Sequence, residues 1–592
     1  VLDPVHDECG VAAVYRLDPT AVSDKGDDCP VYEGSVTRMI PDMLIDLQNR
    51  GQLAAGLTRY DENAAQLIDT FKEVGSVTDV FHLTHPDPGK FKGIVDEYAG
   101  RAAIGHTRYA TCGKEDREYA QPFERHHGRK WKWFAFCFNG NISNYAEVRS
   151  NLLEKDKGDY HLALDTDTEL FMHHLSYAMK GDVKPDFVCV FRHIAETVDG
   201  AYSLAFINAD GDLVLARDPY GFRPLVWGRR GNLFAAASES LALVNQGIDE
   251  IHDVPPGHLV HVRPDGIEVR EFMKSPRKSY CFFEWVYFAN VASNINERSV
   301  YLARTRLGEA LAAAEPETVD PEDCVAVPVP DTAKAACFAM AHTLGIPTRE
   351  GLIRNRYVGR TFIEGKNRKE RAQRKYTVLP EVIEGKRVFL VEDSIVRSTT
   401  LRVIIAMLRK HGRVKEVHVR VACPPIMAPC SYGIDMSTIG ELIAPKFFDK
   451  PRRGELPPED LAKLASELGA DSLLYLTVDE LTKALELPED DLCLGCLVGK
   501  YPTKCGDQLY AEALLCKDDP AGERTYERLA RIRERPSVTA TDRGVQEGVG
   551  VSGGAVSNGG AVSDGGAVSD GGAVSDGGAV SGGGAVSSGE GA

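Results

Sequence analysis

The chain has 592 residues, 43% of them apolar and 26% charged, close to the globular average, so a large core spread over several domains is expected and global disorder is excluded. Its 87 acidic residues outweigh 69 basic ones to a net charge of -18, which argues against a protein that coats nucleic acid. No run approaches the roughly 18 apolar residues of a membrane span, and the first ten residues lack the basic and apolar blocks of a secretory signal; a cytoplasmic location without a membrane partner is expected.

In chain order, residues 9 to about 275 alternate short apolar runs with turn signals. Strands are predicted at Leu204–Phe206, Leu213–Ala216, Leu233–Ala237 and Leu259–Val262, and helices at Val36–Asn49 and Thr168–Met179. From residue 281 to about 500, helix and strand alternate. Val388–Val391 reads as a strand. Leu401, Ile404, Ile405 and Leu408 fall at helical spacing within Leu401–Lys410, before Gly412, and Val417, Val419 and Val421 alternate as a second strand. That is a βαβ unit of a parallel sheet, whose ligand is expected at the C-terminal ends of the strands. Residues 506–536 read as a helical extension. Residues 537–592 contain no aromatic, Leu or Ile and repeat GGAVSD at Gly565–Asp570 and Gly571–Asp576. Such a segment cannot offset the entropy of ordering and reads as a flexible tail, a short β-helix being the sharper alternative.

The strand ending in Glu392–Asp393 leads into Ser394-Ile395-Val396-Arg397-Ser398-Thr399-Thr400 before the helix. Paired carboxylates suit a divalent ion or sugar hydroxyls, and a Ser/Thr-rich helix N-terminus offers N–H and O–H donors to phosphate. By spacing alone, an ordinary capped strand end competes equally. The string VFLVEDSIVRSTT, however, resembles the phosphoribosyl-pyrophosphate signature of type I phosphoribosyltransferases, in the VxDDSIVRGTT form of the glutamine phosphoribosylpyrophosphate amidotransferases. Glu392 stands where Asp is usual and Ser398 where Gly is usual. VPVPDTAKAA (Val327–Ala336) resembles that family's pyrophosphate loop, which implies Asp331 and Thr332 as substrate contacts and Thr332, Glu392 and Asp393 as Mg²⁺ contacts. The resemblance extends substrate binding to Ser394, Arg397, Ser398, Thr399 and Thr400. It also covers Arg356, within the basic segment Arg354–Tyr376 that resembles a closing loop; a solvated basic surface is the alternative for that segment.

In the first half, Cys9 in DECGVAAV would ordinarily be judged a buried structural residue. LQNRGQLAAGL (Leu47–Leu57), GHTRYATCG (Gly105–Gly113) and FNGNISN (Phe138–Asn144) resemble class II, N-terminal-nucleophile glutamine amidotransferases. The resemblance implies that residues 1–8 are a propeptide and that Cys9 becomes the nucleophile. It implies an oxyanion hole from Asn139 and Gly140, and glutamine binding by Arg50, Arg108 and Asp167. A free α-amine, with a pKa of about 7.7–8.0, is a competent general base at neutral pH. Asn49 replaces a usual His, and Cys112 interrupts a motif. The bland readings are a hairpin turn for Asn139–Gly140 and a surface ion pair for Arg108 and Asp167.

The 14 cysteines are too sparse for a disulfide scaffold. Cys493 and Cys496 form a CxxC that alone fits zinc, redox chemistry or nothing. With Cys281 and Cys430 they resemble the ligands of a 4Fe-4S cluster in iron–sulfur members of the same family; zinc is the alternative metal, and Cys423 an alternative ligand to Cys430.

The resemblance spans roughly residues 5–505. It implies an N-terminal-nucleophile αββα sandwich over residues 9–275, then a type I phosphoribosyltransferase α/β domain over 276–505. It further implies synthesis of 5-phosphoribosylamine from glutamine and phosphoribosyl pyrophosphate in purine biosynthesis. One Mg²⁺ and one 4Fe-4S cluster per subunit, inhibition by purine nucleotides and a homo-oligomer, commonly a tetramer, are expected on the same ground. Two other classes compete: a different class II glutamine amidotransferase, which has no role for VEDSIVRSTT, and a catalytically inactive phosphoribosyl-pyrophosphate-binding regulator.

Overall fold

The structure, a computed structural model, describes residues 9–21, 31–109, 116–155, 160–164, 166–355, 375–436 and 438–517. The expected propeptide, Cys112, Arg356 with most of the basic loop, and residues 518–592 lie outside the described residues. The chain divides between Arg535 and Pro536, where the composition changes, and every described residue lies on the N-terminal side.

Two antiparallel sheets face each other in the first half. One runs, edge to edge, Ile251–Asp253, Val226–Arg230, Leu233–Ala237, Gly10–Arg16, Ala102–Arg108, Ala54–Tyr60 and Ile68–Val74. The other runs Gly266–Glu271, His258–Arg263, Leu213–Arg217, Gly200–Asn208, Phe134–Ile142 and Phe123–Arg125. Period-two alternation sorts each strand between two cores. Val11, Ala13 and Tyr15 meet Cys137, Ala205 and Ile207 between the sheets, whereas Ala12 and Val14 turn outward onto Ile40, Met43 and Leu44 of the helix Met39–Asp46. On the far side, Phe134, Phe136 and Phe206 pack on Leu170, Phe171 and Phe191 of the helices Asp167–Ala178 and Phe187–Thr197. The layers are helix, sheet, sheet, helix, as expected.

The second half is built on a four-stranded parallel sheet in the order Cys324–Pro328, Arg387–Glu392, Glu416–Val421, Ser472–Tyr475. Helix Thr399–Lys410 makes the expected crossover, burying Leu401, Ile404, Ile405 and Leu408. The predicted first-half helix over 36–49 is shorter, Met39–Asp46, with Pro41 in its first turn, where a missing N–H costs little. The extension begins two residues early, as helix Lys504–Leu515, and returns to the first half by packing Leu509 into the core beside Phe171.

Side chains lock the halves together. The buried Arg50 guanidinium donates to Glu239 at 2.6 Å and to Glu284 at 2.8 Å. Asn49, the residue standing in place of His, donates to Glu239 at 2.8 Å and to the Phe288 carbonyl at 3.0 Å. Phe222 stacks on Tyr432 with ring centroids 4.0 Å apart. Deleting one partner of the Arg50 network would strand a buried charge, an expensive event. No described helix is long and apolar enough to cross a membrane.

Candidate active sites

Strand ends deliver one pocket in the first half. Cys9 immediately precedes strand Gly10–Arg16, Arg108 ends the neighbouring strand, and Asp167 opens a helix capped by Thr166. Cys9, Arg108, Gly140 and Asp167 line a single cavity with Tyr109, Tyr119, Gln121, Phe138, Thr166 and Thr168. Arg108 and Asp167 are both buried, which removes the surface ion-pair reading. The Cys9 thiol lies 3.7 Å from the Tyr109 carbonyl.

Asn139 and Gly140 sit within strand Phe134–Ile142, paired with Ser203 and Tyr202, and not in a hairpin turn. Gly140 has φ +156°, and a Cβ there would lie 1.8 Å from the Ala201 carbonyl oxygen, so only glycine fits. The buried Asn139 Nδ2 has no hydrogen-bond acceptor among the described residues. Asn139 itself does not line the cavity, though its neighbours Phe138 and Gly140 do; a buried amide donor left without an acceptor is what a resting oxyanion hole requires. Beyond it, the second half buttresses the same strand: Asn141 Nδ2 and Ser143 Oγ both donate to the Ser431 carbonyl, at 3.2 and 2.7 Å. Arg50 does not line the cavity; it sits behind it, where Gly51 packs directly on the Arg108 backbone.

A second pocket lies at the C-terminal ends of the parallel strands, where the topology predicts it. Asp331, Thr332, Glu392, Asp393, Ser394, Arg397, Ser398, Thr399 and Thr400 all line it, so the two separate motifs form one site. Thr332 Oγ1 donates to Asp393, and Ser394 Oγ donates to the other Asp393 oxygen at 2.7 Å. Burial, then the neighbouring carboxylate, push Glu392 well above the usual range; burial likewise raises Asp393. Two desolvated carboxylates facing a cavity, with Thr332 beside them, fit a divalent cation whose remaining ligands come from a substrate's phosphates and water. Arg397 is held by Glu441 at 2.6 Å. Arg354 and Lys375, from the two ends of the basic segment, line it too, whereas sequence reasoning missed Tyr287. Tyr287 belongs to a π-helical turn, Glu284–Phe288, whose sequence carries no phosphate-binding signal.

Ser398 adopts φ +64° and ψ -13° at the mouth of helix Thr399–Lys410, a left-handed conformation that glycine takes freely. Ser398→Gly is therefore expected to stabilise the protein. Relief of roughly 1–2 kcal/mol of backbone strain exceeds the roughly 0.4–1 kcal/mol lost to a freer unfolded chain. Denaturant unfolding checks this, and a lower stability for Ser398→Gly would contradict it.

The four cysteines converge as well. Cys281 and Cys493 are register partners in a parallel strand pair. The Cys496 carbonyl accepts from Met427 N and Ala428 N, bringing Cys430 alongside. Burial raises all of Cys281, Cys493 and Cys496, Cys281 to about 11, and each feels its neighbouring thiols. None is in a disulfide. Tyr432 N donates to Cys430 Sγ at 3.3 Å, and the buried Arg223 cation faces Cys281 and Cys430. Cys423 is buried at the end of a sheet strand, between Asp393 and Cys496. Among the described residues, no three His, Cys, Asp or Glu side chains are grouped to hold a metal ion directly.

Comparison with known proteins decides the family. The chain is 36% identical over 506 residues to the amidophosphoribosyltransferase of Methanothermobacter thermautotrophicus, covering 84% of this chain and 95% of that one. The chain belongs to the amidophosphoribosyltransferase family. The Bacillus subtilis amidophosphoribosyltransferase is 34% identical over 485 residues, 80% of this chain and 92% of its own. Residues 82–255 match the family described as glutamine amidotransferase domain. Among solved structures, the B. subtilis glutamine phosphoribosylpyrophosphate amidotransferase complexed with ADP and GMP matches with TM-score 0.68 at 32% identity, over 84% of this chain and 98% of that one. A structure described as the allosteric regulatory enzyme of purine biosynthesis matches with TM-score 0.70 at 32% identity, over 84% and 97%. As an amidophosphoribosyltransferase, the chain is a pentosyltransferase and glutamine amidotransferase of purine biosynthesis. The other class II enzymes and the inactive regulator fall away as readings.

Proposed function

We propose that the two pockets perform the two halves of one reaction: glutamine is hydrolysed at Cys9, and the ammonia displaces pyrophosphate from phosphoribosyl pyrophosphate at the Asp393 site. The observation that carries the first half is Cys9, Arg108, Asp167 and Gly140 lining one cavity; the Asn139 amide, next in sequence to Gly140, has no acceptor among the described residues. Cleavage of the Glu8–Cys9 bond frees the Cys9 amine, which takes the thiol proton. The thiolate attacks the side-chain amide carbon of glutamine, and Asn139 Nδ2 and Gly140 N–H stabilise the oxyanion. Arg108 holds the α-carboxylate of glutamine and Asp167 its α-ammonium. Ammonia leaves, and water releases glutamate from the thioester.

At the second pocket, Glu392 and Asp393 hold the ribose–metal face of the substrate, while the hydroxyls and N–H groups of Ser394–Thr400 take the 5-phosphate. Asp331 and Thr332 face the pyrophosphate, and Arg356 of the basic segment is assigned to the same substrate. Mg²⁺ supplies charge neutralisation of the departing pyrophosphate when bound. Arg50 acts from behind the glutamine pocket through its ion pairs. Ammonia passes between the pockets sheltered from water, which would protonate it. Purine nucleotides, of the kind bound by the B. subtilis relative, are the proposed inhibitors, and a homo-oligomer, commonly a tetramer, the proposed assembly.

The burial of Cys281, Cys493 and Cys496, the Cys281–Cys493 strand pairing and the Tyr432 N–H given to Cys430 suit thiolate ligands, so we assign the four one 4Fe-4S cluster. It would tie the C-terminal segment to the elements bearing Cys281 and Cys430. Purified protein is expected to be brown and to carry about four iron per chain. Zinc without iron would contradict the cluster and leave the catalytic assignment standing. The mass of the mature N-terminus tests the freed nucleophile: a chain beginning at Cys9 is expected, and an active enzyme still carrying Glu8 would exclude it.

A further inference from the structure

The oxyanion strand has a weak point, and two side chains repair it. Strand Phe134–Ile142 is paired on one edge by Phe123–Arg125, but that pairing stops at Phe136. Two residues on, Phe138 has no edge strand beside it, immediately before Asn139 and Gly140. Its N–H donates to Gln121 Oε1 at 2.9 Å. Its carbonyl lies 3.3 Å from His106 Nε2, reaching across from the opposite sheet. A carbonyl only accepts, so His106 carries its hydrogen on Nε2 and Nδ1 is bare; Nδ1 has no partner among the described residues. The His106 ring is fully buried and, through burial and then the Arg108 cation, pushed down to about 3, so it stays neutral.

We propose that His106 and Gln121 form a clamp on the Phe138 backbone that aims the Asn139 amide and the Gly140 N–H at the developing oxyanion. Both are positioning residues, and the inference rests on the glutamine-hydrolysis reading above. Gly200–Asn208 stays paired along the other edge; on the edge where Phe123–Arg125 has stopped, each end of Phe138 is fixed by one side chain, which restrains the strand there. His106 does not line the glutamine cavity, so its effect reaches the chemistry only through the strand. Donors preorganised in this way act on the transition state more than on bound glutamine.

The clamp predicts a split in kinetics. His106→Phe keeps the ring and loses the donor; kcat for glutamine hydrolysis is expected to fall roughly tenfold to a hundredfold, with KM within about twofold. His106→Gln restores an N–H at the same reach and is expected to recover most of the loss. Asn139→Ala, measured alongside, tests the oxyanion hole itself. If Asn139→Ala keeps full kcat, the underlying reading fails. If Asn139→Ala loses kcat and His106→Phe does not, the clamp is overturned alone. A rise in KM matching the fall in kcat/KM, or no recovery in His106→Gln, also overturns it, because general loosening would do that. Should His106→Phe fail to fold, Gln121→Met must show the kcat loss with KM within about twofold, because Gln121 also lines the cavity; an unchanged kcat, or a KM rise matching the loss, overturns the clamp.

Discussion

Cys9→Ala is expected to lower glutamine-dependent synthesis of 5-phosphoribosylamine by at least about a thousandfold, since no thiolate remains to open the amide. The same protein, given ammonia at high pH, is expected to release pyrophosphate at close to the wild-type rate. The reason is structural separation: Cys9 lines the sandwich cavity, whereas the phosphoribosyl site is built from strand ends of the second half. The two assays, glutamate formed and pyrophosphate released with each nitrogen source, read the halves independently. Full glutamine-dependent activity in Cys9→Ala would end the nucleophile assignment.

The second large effect falls on the other half. Asp393→Asn is expected to lower both glutamine- and ammonia-dependent synthesis by at least about a hundredfold, because the carboxylate proposed to hold the metal and the sugar loses its charge. Stability is expected to move the other way. Asp393 is a buried carboxylate beside a second one, Glu392, and burial disfavours its charged form. A neutral amide of the same shape still accepts from Thr332 or Ser394 and removes a like-charge contact. The ligand-free variant should therefore unfold at the wild-type midpoint or above. Lost activity at undiminished stability marks a functional residue; lost activity with a lowered midpoint would place Asp393 in the fold instead.

Much of this was readable in the sequence because the signals are local. The Val417–Val421 alternation, the helix from Leu401 and the ligand position at a strand end follow from periodicity and topology, and the structure agrees. The joining of VPVPDTAKAA to VEDSIVRSTT in one pocket was legible only as a family pattern, since 61 residues separate Thr332 from Asp393. Other features needed three dimensions. Asn49 gave no sign that it ties the halves together through Glu239 and the Phe288 carbonyl. Asn139–Gly140 carries a hairpin signal that a strand overrides, because Ser203 and Tyr202 pair with it and the Ala201 carbonyl leaves no room for a Cβ at residue 140. His106 stands in GHTRYATCG with no role of its own, and its reach to Phe138 depends on where another strand stops.

The most direct test of the whole account is stoichiometry. Wild-type enzyme, incubated with glutamine, phosphoribosyl pyrophosphate and Mg²⁺, is sampled over time for glutamate and pyrophosphate together. Two pockets serving one reaction should yield them in equal amounts throughout. Glutamate accumulating without pyrophosphate, or pyrophosphate released at the same rate when glutamine is left out, would contradict the account.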